Sequence, residues 1–228
     1  MSTFFLTREP VFPHPSLADP DGLLAIGGDL SITRLCSAYS KGIFPWYGPG
    51  SPILWWSPDP RLLLYPDSIH ISRSLRRILN SGRFNISADT AFERVIGYCS
   101  AVPRQGWSGT WLVPEMIDAY IKLHQAGVAH SFEAWHGSIL AGGIYGVALG
   151  KAFFGESMFY LEPNASKVTL VHLMRFLKSE GYHFMDCQQT TTHMLRFGAG
   201  EVSRKNFLSR LERAVAHRQT PGRWHYCA

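Results

Sequence analysis

From Val128 to Tyr160 apolar and small residues run on through two glycine-marked turns, at Gly137 and Gly150, and this pattern predicts a three-stranded antiparallel meander. In its last strand a period of two puts Ala152, Phe154, Glu156 and Met158 on one face and Phe153, Gly155, Ser157 and Phe159 on the other. Glu156 is thereby set among apolar neighbours. Leaving even a neutral polar group unpaired in such a place costs about 2–7 kcal/mol, so the carboxylate calls for a cation. Either an ion pair within the fold or a charged group on a substrate would supply it.

Helical spacing governs much of the rest. Ser31 can cap a helix with Leu35, Ala38 and Tyr39 on its apolar face, ended by Gly42. From His70 the run ISRSLRRILNSGRF predicts a helix with Leu75, Ile78 and Leu79 inward, and Arg73, Arg76 and Arg77 together on the opposite side. Those arginines suit a solvated surface or a phosphate backbone equally well. A helix is expected over Phe92 to Cys99, followed by a tight loop with Gly106, Gly109, Thr110 and Trp111. Pro114 opens a helix carrying Met116, Ile117, Tyr120, Leu123 and His124, which Gly127 stops. After the meander, Asn164, Ala165 and Ser166 lead into a helix with Val168, Val171, Leu173, Met174 and Leu177 apolar, closed by Gly181. A short strand, Phe184 to Gln188, aims Asp186 and Gln188 to one face, either as a structural pair or as chemistry. A last helix starts near Ser203, with Phe207, Leu208, Leu211 and Val215 inward and Arg204, Lys205, Arg210, Arg213 and Arg218 outside.

Residues 1–62 are different, being rich in proline, glycine and aromatics, and they predict a small loop-rich N-terminal domain ahead of a main domain over 63–228. The rings of Tyr39, Trp46, Tyr47, Trp55 and Trp56 serve either as packing or as platforms for a nucleobase, where stacking contributes about 1–3 kcal/mol per base.

Composition narrows the classes. With 228 residues and 46% hydrophobic content the chain can bury a proper core. No apolar run approaches the ~20 residues of a membrane span, and Phe4-Phe5-Leu6 is too short for a signal-peptide core, so a soluble cytoplasmic protein is expected. The four cysteines, Cys36, Cys99, Cys187 and Cys227, have neither metal-ligand spacing nor a disulfide-framework pattern. A charge of +5, from 22 basic and 17 acidic residues, leans toward polyanionic partners. No Walker loop or GxGxxG is present, so no bound nucleoside triphosphate or dinucleotide is indicated.

The blocks GLLAIGGDL, GIFPWY, PILWWSPDPR, HISRSLRR, GTW, AYIKLHQAGVAHSFEAW, GGIYGVALG, FFGESMF, NASK and DCQ, in this order, resemble the leucyl/phenylalanyl-tRNA protein transferase family from about Phe12 to past Ala199. The resemblance implies an α/β (α+β) protein: a small N-terminal domain, then a GNAT-like, acetyltransferase-like catalytic domain with a mostly antiparallel sheet flanked by helices. It implies transfer of leucine or phenylalanine, and methionine, from aminoacyl-tRNA to the α-amino group of proteins beginning with lysine or arginine, which marks them for degradation. No cofactor or metal, no membrane and no second subunit is implied; a monomer is expected. The family's DCQ maps onto Asp186, Cys187 and Gln188, and its GES onto Gly155, Glu156 and Ser157. Tyr39, Trp46, Trp111 and Tyr120 fall at the aromatic positions around the aminoacyl-adenosine end. Tyr160 stands where serine is usual, and Arg196-Phe197-Gly198-Ala199 where SLGA is usual.

The residues suit that reaction. An α-amino group titrates near 8, so near neutral pH an appreciable fraction is already a nucleophile, and position matters more than basicity. Gln188 can accept a hydrogen bond from the amine through its side-chain oxygen, while the proton leaves either by way of Asp186, which can polarise Gln188 or take the proton indirectly, or through the 2′-hydroxyl of the terminal ribose. Glu156 would receive the acceptor's lysine or arginine side chain, a task that Asp186 could share. Met158, on the same face, with open backbone at Gly142-Gly143, would form an apolar wall for the carried amino acid. The alternatives are a coenzyme A dependent N-acetyltransferase and a non-catalytic RNA-binding module. The first would need a [QR]xxGx[GA] loop, and the nearest approach, Arg94, Gly97 and Cys99, fails the last position and lies in an expected helix.

Overall fold

A computed structural model describes residues 3–101, 112–218 and 220–228. The first sixty residues build a four-stranded sheet from β1 (Phe4–Leu6), β2 (Leu23–Gly27), β3 (Phe44–Pro45) and β4 (Leu54–Trp56), in the order β1-β2-β4-β3. Helix α1 (Ile32–Ser40) lies between β2 and β3 in the chain, and the Ser31 hydroxyl caps it by accepting from the Arg34 amide.

The second sheet begins with β5 (Arg61–Leu64), followed by α2 (Arg73–Asn80), β6 (Asn85–Ala88), α3 (Phe92–Ala101) and α4 (Pro114–Gln125). The predicted meander follows as β7 (Ala129–His136), β8 (Ile139–Leu149) and β9 (Ala152–Tyr160), with its turns at Gly137 and Gly150. Then come α5 (Ala165–Ser179), β10 (Phe184–Asp186), α6 (Thr192–Leu195), β11 (Gly200–Val202) and α7 (Arg204–Val215). The seven strands run β11-β5-β10-β9-β8-β7-β6. Adjacent strands are antiparallel except β9 and β10, which α5 joins in parallel. The fold is mixed α/β, as expected. Among the described residues no helix is long and apolar enough to cross a membrane.

Two apolar cores lie on the two faces of this sheet. One gathers Leu35 and Tyr39 of α1, Val95 of α3, Tyr120 of α4 and Phe207 of α7 under Tyr145, Phe154 and Phe159, and it includes Trp55 and Leu24 of the small sheet. The other packs Val168, Leu170, Val171 and Leu177 of α5 against Phe132, Ile144 and Phe153. The small sheet therefore shares a core with the main body. The chain passes from the small sheet to the large one between Trp56 and Arg61.

One irregularity decides the site. Tyr145 faces Ser157 but its neighbour Gly146 faces Gly155, so Glu156 is an extra residue, a β-bulge. Gly146 is required there, because a Cβ would strike the Phe154 carbonyl oxygen. The bulge resets the alternation: Phe154 and Phe159 enter one core, Phe153 and Met158 the other. Met158 pairs with Ile144 and lies on the opposite face from the partners of Glu156, which corrects the expected strand face and removes Met158 from a wall beside that carboxylate. Gly142 and Gly143 leave no room either. A Cβ on Gly142 would press on Ala165 at 2.7 Å, and one on Gly143 on Phe159 and Val95 at 2.9 Å.

Candidate active site

Glu156 emerges from the bulge into the core that α1 and α4 line, 9% exposed. The Tyr39 hydroxyl of α1 is hydrogen-bonded to Glu156 Oε1 at 2.7 Å, and the Tyr120 hydroxyl of α4 to Oε2 at 3.0 Å. The two phenol oxygens are themselves 2.5 Å apart. Gln188, just past β10, donates Nε2 to Oε1 at 2.7 Å. No cation pairs with Glu156 among the described residues, so an ion pair within the fold is not what holds it. A substrate guanidinium or ammonium would find both oxygens already engaged by neutral donors.

Burial, with a smaller push from the Asp186 charge, raises the Glu156 carboxyl from 4.5 to about 7, against the pull of its three donors. Burial also lifts the Tyr39 and Tyr120 hydroxyls well above the usual phenol value, with the nearby Glu156 charge adding to it. The folded state thus binds the Glu156 proton more tightly than the unfolded chain. Stability from this group is complete below about 4.5, declines as pH rises to about 7 by about 3 kcal/mol, and is level above. Denaturant midpoints of the wild type and Glu156→Gln measured from pH 5 to 8 should diverge in that sense, the variant losing this slope.

Beside this cluster lies a second one that the sequence did not reveal. Arg61 heads β5 and is buried, as is Asp186 at the end of β10. The guanidinium donates Nε and Nη2 to the carboxylate at 2.8 and 2.6 Å, and Nη1 to the Gly42 carbonyl at 3.0 Å. Its carbon stands 4.9 Å and 4.5 Å from the ring centroids of Phe44 and Phe207. Both Asp186 carboxylate oxygens are thus engaged by the guanidinium. The remaining contact of Asp186 is with the backbone of Gln188, whose N–H donates to Oδ1 at 2.8 Å. That bond accompanies a left-handed Gln188, φ 62°. The strand ends at Asp186, and both side chains turn to the core that holds Phe207 and Tyr39, Asp186 to Arg61 and Gln188 to Glu156. A signal for Arg61 was present. RLLL places one charge at the head of an otherwise apolar strand, and Asp186 is a carboxylate in an equally apolar one.

The remaining expected residues scatter. Tyr39 and Tyr120 are 1% and 0% exposed, their rings packed in the core and their hydroxyls gathered at Glu156. Trp46 is half-buried against Trp56, centroids 5.8 Å apart. Trp111 lies outside the described residues. Arg73, Arg76 and Arg77 are exposed on α2, away from Leu75, the buried residue of that helix. Burial and the Asp186 charge push the Cys187 thiol far up, so it stays neutral. Arg94, Gly97 and Cys99 lie inside α3, so they do not make a phosphate-binding loop. A cleft of about 710 Å³ opens between α4 and residues 47–53, lined by Tyr47, Ile53, Leu112, Val113, Glu115 and Lys122. Ala119, the neighbour of Tyr120 in α4, also lines it, so this cleft adjoins the helix that carries part of the cluster.

A carboxylate kept from water, an amide pinned to it and an adjoining cleft are the ingredients of a site that positions reactants. Family comparison gives the class. Residues 63–212 match the model of the leucyl/phenylalanyl-tRNA protein transferase, and residues 28–59 the model of its N-terminal domain. A leucyl/phenylalanyl-tRNA–protein transferase of Anaeromyxobacter sp. (strain K) is 58% identical over 224 residues, 98% of this chain and 96% of that protein. Those of Oleidesulfovibrio alaskensis and Nitratidesulfovibrio vulgaris (strain DP4) are also 58% identical, over 98% and 94% of this chain and 92% of each relative. Among solved structures, L-PGS from Bacillus licheniformis covers 74% of this chain and 53% of its own at 12% identity and a TM-score of 0.40, too distant to carry an argument. The protein is an enzyme of the aminoacyltransferase class. The chain belongs to the leucyl/phenylalanyl-tRNA protein transferase family.

Proposed function

We propose that this protein moves leucine or phenylalanine, and also methionine, from aminoacyl-tRNA to the α-amino group of proteins that begin with lysine or arginine, marking them for degradation. It acts as a cytoplasmic monomer without cofactor, and its seven-stranded domain is GNAT-like. Membership of the family over nearly the whole chain supports the reaction class. The observation that carries the site is the orientation of Gln188. Its amide nitrogen donates to Glu156, which leaves the side-chain oxygen of this half-buried residue as the acceptor. That oxygen accepts from the acceptor amine and aims the amine's lone pair at the ester carbonyl. Bond by bond, the nitrogen adds to the carbonyl carbon, the C–O bond to the terminal ribose breaks, and one proton passes from nitrogen to the leaving oxygen. Arg61 and Asp186 position Gln188 from behind.

The test is leucine transfer from labelled leucyl-tRNA to an arginine-initiated peptide, with acetyl-coenzyme A as the competing donor. Leucyl-peptide is expected without added ATP or metal; acetylation in its place would overturn the reading. On the same reading Arg73, Arg76 and Arg77 meet tRNA phosphates. Replacing Arg73 and Arg76 with alanine should weaken tRNA binding at low salt and flatten its salt dependence by about two phosphate contacts. An unchanged slope would make α2 a solvated surface.

A further inference from the structure

Tyr39 Oη, Tyr120 Oη and the Glu156 carboxyl group form a triangle with each edge at hydrogen-bond distance: 2.5 Å between the phenols, 2.7 Å to Oε1 and 3.0 Å to Oε2. The two phenols bring one proton each, and an ionised carboxylate brings none. Two protons fill two edges. If both phenols point at the carboxylate, their oxygens face each other at 2.5 Å with lone pairs alone. If one points at the other, one carboxylate oxygen loses a donor inside the core. A third proton resolves this. Glu156 Oε2–H then donates to Tyr120, Tyr120 to Tyr39, and Tyr39 to Oε1, where Gln188 Nε2 is the second donor. Each phenol then both gives and accepts, while the carboxyl group gives through Oε2 and accepts through Oε1.

The surrounding charges favour this state. Asp186 of β10 contributes a negative charge that disfavours a second anion, and Arg61 of β5 is bound to Asp186 rather than to Glu156. Tyr47 and the β8 residue Tyr145 approach Tyr120, the latter with ring centroids 5.6 Å apart, and neither is a cation. Burial acts in the same sense.

We infer that Glu156 is a neutral carboxylic acid in the resting enzyme, closed into a proton ring by Tyr39 and Tyr120, and that this keeps the acceptor amine at Gln188 uncharged. The second half rests on the proposed transfer; the first does not. A bare carboxylate behind Gln188 would stabilise an arriving ammonium ion, which has no lone pair to attack with. The neutral acid removes that bias. Tyr39, Tyr120 and Glu156 thereby become positioning residues, not a seat for the acceptor's cationic side chain.

A primary amide reproduces the ring: its N–H replaces Oε2–H toward Tyr120, and its oxygen accepts from Tyr39 and Gln188. Infrared difference spectra of substrate-free wild type against Glu156→Gln decide the protonation state independently of activity. A protonated-carboxyl band should be present at pH 6 in the wild type, absent from the variant, and fade as pH passes through about 7. No such band at pH 6 overturns the inference even if transfer is intact. In the transfer assay Glu156→Ala should lose about 100-fold in kcat/KM, and Glu156→Gln should recover to within about tenfold of wild type. A glutamine variant as inactive as the alanine variant, with the infrared band confirmed, would overturn the role assigned toward the amine. Loss confined to KM for lysine- and arginine-initiated peptides would restore Glu156 as their anionic seat.

Discussion

Replacing Arg61 with methionine should destabilise the fold by about 3–5 kcal/mol, because it leaves the Asp186 carboxylate buried without its cation. The guanidinium forms the bidentate contact to Asp186, reaches the Gly42 carbonyl and lies between Phe44 and Phe207, so the substitution removes charge and hydrogen bonds together. Methionine preserves much of the volume, which isolates the electrostatic part. Urea midpoints at constant slope measure the loss, and a loss under about 1 kcal/mol would mean that water reaches Asp186. A double variant, Arg61→Met with Asp186→Leu, separates stability from positioning. Removing both charges should restore most of the lost stability, since a buried pair is often neutral when replaced by apolar groups. Transfer should stay low, because Oδ1 no longer holds the Gln188 amide. A double variant that regains both would reduce the pair to a structural role.

Patterns carried by neighbouring residues were legible in the sequence. The meander of β7, β8 and β9 follows from apolar runs broken at Gly137 and Gly150, and the helices beginning after Ser31, at Pro114 and after Ser203 follow from their start signals and 3.6-residue spacing. What depended on distant partners was not. The bulge at Glu156 exists because Gly146 on the adjacent strand lets the backbone close in, and nothing local to FFGESMF announces it; Met158 was therefore set on the wrong face. Gln188 leaves the strand in a left-handed conformation with its amide bonded to the Asp186 side chain, a local turn that the apolar pattern of the strand does not announce. Arg61 and Asp186 are 125 residues apart in the chain. The short β6 is paired on one side by β7 and on the other by the C-terminal residues, with Ile86 and Ala228 exchanging backbone hydrogen bonds, a context no short window of sequence contains. Glu156, Asp186 and Gln188 were recognised as a group, yet their division of labour needed the coordinates: the cation went to Asp186 and the neutral donors to Glu156.

Gln188→Ala should lower the rate of transfer by about 100-fold or more while leaving tRNA affinity in place. The argument is positional. An α-amine near neutral pH needs little help to be nucleophilic, and the side-chain oxygen of Gln188 is an acceptor fixed at its far end by Glu156 and at its backbone by Asp186. Alanine keeps the backbone bond to Asp186 and removes the acceptor, so the lost rate reports aim rather than folding. Rapid-quench single-turnover transfer, with enzyme saturating over labelled leucyl-tRNA and the arginine-initiated peptide in excess, excludes product release and weak binding from the measured rate. The account predicts rapid transfer by the wild type and a rate at least about 100-fold slower in Gln188→Ala, with the same equilibrium binding of charged tRNA; equal single-turnover rates in the two proteins would contradict it.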